Sequence, residues 1–189
     1  NVWLEGKYWE PMPIENYDDP NNPDDTPRTI TTQAAGVVIN YKGELCGVVG
    51  GLGQKTENRG FNRGTEMERQ VGSTMKGVAA YPLGIDMDLI NYSFVLMDDY
   101  FPISDGKGGT RTDWPSNWSG RYSHSMTTVY EALKQSLNTV AVRVGDMVTP
   151  RTMFEFARDT LGITTLDENS DVDLAPMVLG ATTTGLSPY

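Results

Sequence analysis

Ser73 and Lys76 sit three positions apart in RQVGSTMKGVAAYPLGI (69–85), directly after a glycine and just before a short apolar run. Residues three apart share one face of a helix, so the lysine amine can reach the serine hydroxyl. A serine hydroxyl is a weak nucleophile until a base takes its proton. Lysine serves as that base only when burial or nearby positive charge lowers its pKa. The VAA that follows supplies apolar walls. The first helical turn adds free backbone N–H groups and the positive end of the helix dipole, which would stabilise an oxyanion at an acylated serine. By spacing alone the pair also fits an ordinary helix start. A second copy of the spacing, Ser104 to Lys107, lies in a Gly-rich stretch with no helix and no apolar wall, and we take it to be inert.

Downstream, Ser136-Leu-Asn138 follows the helix-forming EALKQ. It sets a hydroxyl and a carboxamide two residues apart where a helix gives way to a turn. A serine acyl-enzyme needs both groups: a hydroxyl to relay a proton to the leaving amine, and an amide to orient substrate and lysine. Taken in isolation, the same residues read as a helix C-terminal cap.

The bulk composition excludes several functions. The chain has 189 residues, 38% of them apolar, and a formal net charge of −10. That balance opposes nucleic acid, whose phosphates call for clustered Lys and Arg, and it opposes a polybasic membrane-surface patch. Cys46 and His124 are the only cysteine and histidine. They permit no internal disulfide and no Cys/His metal cluster, and no cofactor is implied. No apolar run approaches the roughly 18 residues of a transmembrane helix, and the opening NVWLEGKYWEP is not a signal peptide. The chain reads as a piece cut from something longer.

The elements that must position these residues follow in order. Residues 1–32 hold Trp3, Trp9 and the tract NYDDPNNPDDTP, and read as an irregular acidic, Pro-rich arm or linker. AAGVVIN, YKG and ELCGVVGG read as a hairpin with Cys46 buried in its second strand. A helix is expected over 73–81, stopped by Pro82. Thr128 and Glu131 have capping-box spacing. Thr149-Pro150 opens another helix, with Phe154, Ala157 and Leu161 on one face and Gly162 at its end. The alternating acids of DENSDVD (167–173) lack the glycine and closing glutamate of a calcium loop and read as a solvated acidic loop.

The joint pattern resembles the transpeptidase domain of class A penicillin-binding proteins. QAAGVVINYKGELCGVVGG is similar to that family's opening hairpin, and FNRGTEMERQVGSTMK to the run into its nucleophile. WPSNWSGRYSHSMTTVYEALKQSLNTVAVRV is similar to the stretch with its second box, and LAPMVLGATTTGLSP to the segment leading toward its third. The resemblance covers most of residues 33–188, in order. It implies an α+β domain, a mostly antiparallel sheet with flanking helices beside a helical subdomain, incomplete here and occupying 33–189. It also implies that Ser73 attacks the D-Ala-D-Ala carbonyl of a peptidoglycan stem peptide and that β-lactams trap it there. Lys76 would be the base, Ser136 the proton relay and Asn138 the positioning group. The parent protein would be membrane-anchored on the outer face of the bacterial cytoplasmic membrane and would carry a glycosyltransferase domain.

Some positions depart from the pattern. The third box, Lys-Thr-Gly or Lys-Ser-Gly, is absent: Lys55-Thr56 is followed by Glu57, and Lys107 by two glycines. Val71 and Gly77 stand where the family often has proline. Without the third box's strand the sheet is incomplete, the fragment is expected to be inactive, and an open sheet edge could pair with a second copy. Two other readings fit the same boxes. One is a D,D-carboxypeptidase or β-lactamase, in which water takes the acyl group, although the E-x-x-L-N of one β-lactamase class is missing. The other is a non-catalytic β-lactam-sensing or scaffold domain.

Overall fold

A computed structural model describes residues 33–53, 58–104 and 108–189, together with the backbone of two short strands, β1 (Met12–Ile14) and β2 (Arg28–Ile30). The acidic tract of 1–32, Lys55 to Glu57 and Lys107 lie outside the described residues. The chain divides into two compact units, Asn1–Met67 with Ser187–Tyr189, and Glu68–Leu186.

In the first unit β1 pairs antiparallel with β2. The expected hairpin is present as β3 (Gly36–Ile39) and β4 (Leu45–Val49), paired Val37 to Val48, with a register shift at Val38/Ile39. Asn40 builds its turn: Oδ1 accepts the N–H groups of Lys42 and Glu44 at 2.9 and 3.0 Å. Asn favours this position because its short side chain can replace a backbone acceptor. Cys46 is exposed rather than buried. This hairpin has only two strands, and both keep an exposed face.

The second unit carries the core. A wide π-turn, Lys76–Ala80, runs directly into α1 (Tyr81–Asp86). The helix therefore does not stop at Pro82, as the sequence suggests, but continues through it. The Tyr81 N–H reaches back five residues to Lys76 O, and Pro82 follows at the start of α1, where a missing N–H is tolerated. Strand β5 (Val95–Met97) pairs with β8 (Met126–Thr128), and β6 (Ile103–Ser104) with β7 (Thr110–Arg111). The described strands thus form four two-stranded antiparallel sheets, not one continuous sheet.

Helix α2 (Val129–Lys134) starts on half of the expected capping box. Thr128 Oγ1 accepts the Glu131 N–H at 3.2 Å, while the Glu131 carboxylate turns to Lys134 and Gln135. Helix α3 (Asn138–Val148) is buried on nearly every side, through Val140, Ala141, Val142, Val144 and Val148. It packs against α1, the π-turn, α4 (Pro150–Glu155) and α5 (Leu174–Leu179). Thr149 caps α4 as expected, its Oγ1 accepting the Thr152 N–H. Phe154 and Ala157 are buried, but Leu161 is 45% exposed. A second π-turn, Phe156–Thr160, closed by Leu161 N–H on Phe156 O, adds a residue to the turn and carries Leu161 off the apolar face. Ile163 packs against the core beyond it.

The acidic loop 167–173 is only partly solvated. Asp171 is fully buried and accepts Thr183 N–H, Thr183 Oγ1 and Asp167 N–H, each at 2.9 Å. Its oxygens are committed to the protein, and no group of acids, His or Cys among the described residues is arranged to hold a metal ion.

The α3–α5 contact is close because Gly145 has no side chain: a Cβ there would overlap Val178 Cγ2 and come within 3.2 Å of Met153 Cε. Gly145→Ala should therefore destabilise the domain by about 1–3 kcal/mol. Gly77→Ala, whose Cβ meets nothing within 4 Å, should instead stabilise it by about 0.5–1 kcal/mol. Urea unfolding midpoints of the two variants check this pair, and equal shifts would refute the packing account.

Candidate active site

Ser73 stands at the mouth of the π-turn. Gly72 before it has φ 59°, a left-handed conformation that glycine adopts without penalty. The Gly72 backbone lies against Gly180, the left-handed cap of α5, so closely that a side chain at 180 would overlap Gly72 N and O. Arg69 and Leu186 exchange both backbone hydrogen bonds, at 3.0 and 2.8 Å, and Gln70 Nε2 donates to Thr182 O at 3.1 Å. The run into Ser73 is thus pinned along 180–186, a segment more than a hundred residues later.

Lys76 is 1% exposed. Its Nζ donates to Ser136 O at 2.8 Å, Asn138 Oδ1 at 2.5 Å and Ser136 Oγ at 3.2 Å. The two sequence-predicted boxes therefore meet in space through the lysine. Burial lowers the Lys76 pKa from its ordinary 10.5 to about 8, and no carboxylate enters that shift. The three oxygen acceptors pull the other way, since an ammonium has three N–H donors and a neutral amine only two.

The geometry of Ser136 explains how it reaches the lysine. Leu137 N–H bonds back to Ala132 O, and Ser136 N–H to Leu133 O. This is a Schellman ending for α2, with Ser136 at the left-handed position usually held by glycine and with φ 54°. Ala132 and Leu137 supply the accompanying apolar contact. The capping reading of Ser136 and its reading as a site residue thus describe one conformation. Ending the helix this way places both its carbonyl and its hydroxyl against Nζ.

Ser73 does not join this cluster by hydrogen bonding. Its residue is exposed, and among the described residues its Oγ makes no hydrogen bond, whether to Lys76 Nζ, to Ser136 Oγ or to any other group. The direct bond expected from the sequence is absent because all three donors of the Lys76 ammonium are taken on the Ser136–Asn138 side. Of those three partners, two can only accept. Ser136 Oγ, the longest contact, is also a donor. When Lys76 is neutral, this hydroxyl can reverse and donate to Nζ, which gives protons a path through the cluster. In the second S-x-x-K copy Ser104 is exposed, while Lys107 is outside the described residues.

Sequence reading missed the layer behind Asn138. Asp98, Asn117 and Thr139 are buried and mutually hydrogen-bonded, and Asn117 Oδ1 accepts the Asn138 N–H at 2.9 Å. The only sequence trace of them is polar residues bordering apolar runs, as in VLMDD and SLNTVAV.

No family model matches the chain. Among curated proteins it is 30% identical over 153 residues to penicillin-binding protein 1A of Clostridium tetani, covering 80% of this chain and 19% of that protein. It is 31% identical over 114 residues to penicillin-binding protein 1B of Vibrio cholerae, covering 60% of this chain and 14% of that protein. The chain spans about a fifth of the length of the curated relatives it matches. The crystal structure of penicillin-binding protein 1A from Haemophilus influenzae superposes with a TM-score of 0.60 at 24% identity, over 82% of this chain and 22% of that one, and it shows a shared α+β fold. At 30% identity over 80% of its length to such a relative, the chain belongs to the class A penicillin-binding proteins, as a fragment of such a protein.

Proposed function

We propose that this chain is part of a serine D,D-transpeptidase that cross-links peptidoglycan stem peptides through an acyl-enzyme on Ser73. The observation that carries the reading is a buried lysine of lowered pKa, one turn from an exposed serine and bonded to a hydroxyl and a carboxamide about sixty residues away. In the reaction, Ser73 turns toward Nζ and its Oγ attacks the penultimate D-alanine carbonyl carbon. The Oγ proton passes to neutral Lys76 and the C–O bond forms. The C–N bond then breaks, the proton reaches the leaving D-alanine amine through Ser136 Oγ, and an amine of a neighbouring stem peptide later takes the acyl group. Asn138 holds Lys76 and would orient the donor peptide. A β-lactam presents the same carbonyl and stays attached. The family supports placing the parent protein on the outer face of the bacterial cytoplasmic membrane, with its membrane anchor and glycosyltransferase domain outside this chain. No helix among the described residues is long and apolar enough to cross a membrane. The same cluster would serve a D,D-carboxypeptidase or β-lactamase if water reached the acyl-enzyme, and the fold without turnover would serve β-lactam sensing. The transpeptidase reading is preferred because the order of the two boxes and their flanking runs resembles the transpeptidase domain of class A penicillin-binding proteins.

Mass spectrometry after penicillin treatment of the full-length protein should find one adduct, on Ser73, and an adduct on another serine would end the reading. The isolated 189-residue fragment lacks the third box and should label at least about 10²–10³-fold more slowly, the cost of one lost oxyanion donor.

Because acylation needs neutral Lys76, its rate should rise about tenfold per pH unit below about 8 and level off above that value. A rate that is flat between pH 6 and 8 would remove Lys76 as base.

Ser136→Gly separates capping from chemistry. Glycine relieves the left-handed strain, so stability should hold or rise by about 1 kcal/mol, while acylation falls by about 10² or more with the proton relay gone. Unchanged acylation in a stably folded variant would assign Ser136 to capping alone.

A further inference from the structure

We propose that Asn117, oriented by Asp98, is the positioning residue that aims Asn138 at Lys76. Helix α3 begins without a cap of its own: Leu137 at its N-cap position has no side-chain acceptor. Asn117, twenty-one residues earlier, supplies one. Its Oδ1 accepts the Asn138 N–H at 2.9 Å and the Thr139 N–H at 3.5 Å, so it satisfies the first two N–H groups of the helix in place of a local cap.

The orientation of that amide is set from behind. Asn117 Nδ2 donates to Asp98 Oδ1 at 2.8 Å and to Arg121 O at 3.1 Å. Carboxylate and carbonyl oxygens only accept, so the NH2 end must face them and the oxygen must face the helix. Asp98 also accepts Thr139 Oγ1 at 2.7 Å and the Ser123 N–H at 2.9 Å. Burial raises its pKa, but the bonds from Thr139, Ser123 and Asn117 outweigh that and hold it below the ordinary carboxylate value, so Asp98 stays ionised. Both Asp98 and Asn117 are only 4% exposed.

The side chain of Asn138 is fixed by the neighbouring residue. Its Nδ2 donates to Ser116 O at 2.7 Å. With its N–H held by Asn117 and its NH2 held by Ser116, the one group of Asn138 left to turn inward is Oδ1, which meets Lys76 Nζ. Residues 116 and 117 thus clamp Asn138 from two sides. Neither touches a reacting atom, so their effect passes through Asn138. The inference deepens the transpeptidase reading, because the aim of Lys76 matters to acylation only if Lys76 is the base.

The test is a direct titration of Lys76 by NMR in the full-length protein, with lysines labelled at 13Cε and the Lys76 signal assigned as the one lost in Lys76→Arg. No ionisable group is bonded to Nζ; its partners are the oxygens of Ser136 and Asn138. Losing an aligned acceptor should therefore lower its midpoint. Asn117→Ala and Asn138→Ala are each expected to lower the midpoint by about one unit, the scale of one hydrogen bond to a charged group. The double variant should show no more than either alone. In Asn117→Ala the labelling of Ser73 by a fluorescent penicillin, compared at a pH above 8 where Lys76 is largely neutral in both proteins, should fall by about 10²-fold, the scale of a small misplacement of a reacting group.

The proposal is overturned if Asn117→Ala leaves the Lys76 midpoint unmoved while Asn138→Ala shifts it, or if the two shifts simply add. Should Asn117→Ala fail to fold, Asp98→Asn keeps the volume but loosens the amide's orientation. It should shift the midpoint in the same direction by a smaller amount, and no shift would again overturn the proposal. If the titration behaves as expected but Ser73 is never labelled in the unmutated protein, the positioning role stands and the transpeptidase reading falls.

Discussion

Lys76 carries its amine into a place almost without solvent, and no carboxylate pairs with it. Burying a lone charge is costly unless hydrogen bonds replace its water. Here three oxygens do so, two from Ser136 and one from Asn138. Everything around the site answers to that need. The helix that bears Lys76 must face the end of α2 and the start of α3, and the turn between them must present its oxygens rather than its N–H groups. Burial lowers the amine's pKa to about 8, within reach of deprotonation at ordinary pH and still mostly charged at rest.

The turn meets this need by using a conformation that costs energy. A serine in the left-handed region is disfavoured by about 1–2 kcal/mol relative to glycine. The Schellman bonds and the Ala132–Leu137 contact hold it there. A glycine would terminate α2 as well, but it would bring no hydroxyl to the lysine. Retaining serine at this position is the kind of local strain found where a structure over-determines a functional group.

The loop between β5 and β8 completes the arrangement. It carries Asp98 and Asn117 under the first turn of α3, where they replace a missing local cap and hold Asn138. Arg143 returns the tie from the other direction, its guanidinium donating to the carbonyls of Met97, Asp99 and Tyr100. A loop this long would ordinarily be free to vary. Here its polar groups are spent on the helix that faces Lys76, which makes it part of the site's scaffold.

The sequence by itself determined the local elements and singled out the two boxes as candidates. The hairpin at YKG, the Thr128 and Thr149 caps and the helix end at Gly162 follow from short-range chemistry, which a single window of residues contains. Ser73, Lys76, Ser136 and Asn138 stood out because each box is a fixed spacing of polar side chains, and the structure brings Lys76, Ser136 and Asn138 together. The tertiary structure decided what spacing cannot carry. It took the helix through Pro82 and turned Leu161 outward, because a π-turn changes the phase of a helix without changing its residue types. It left Cys46 exposed, because burial of a strand depends on what packs across it. It turned the side-chain donors of Lys76 toward Ser136 and Asn138 and left the Ser73 hydroxyl without a hydrogen bond among the described residues. It also assembled Asp98, Asn117 and Thr139 from positions up to 41 residues apart. A hydrogen bond needs its partners about 3 Å apart in space, and their separation along the chain does not encode that distance.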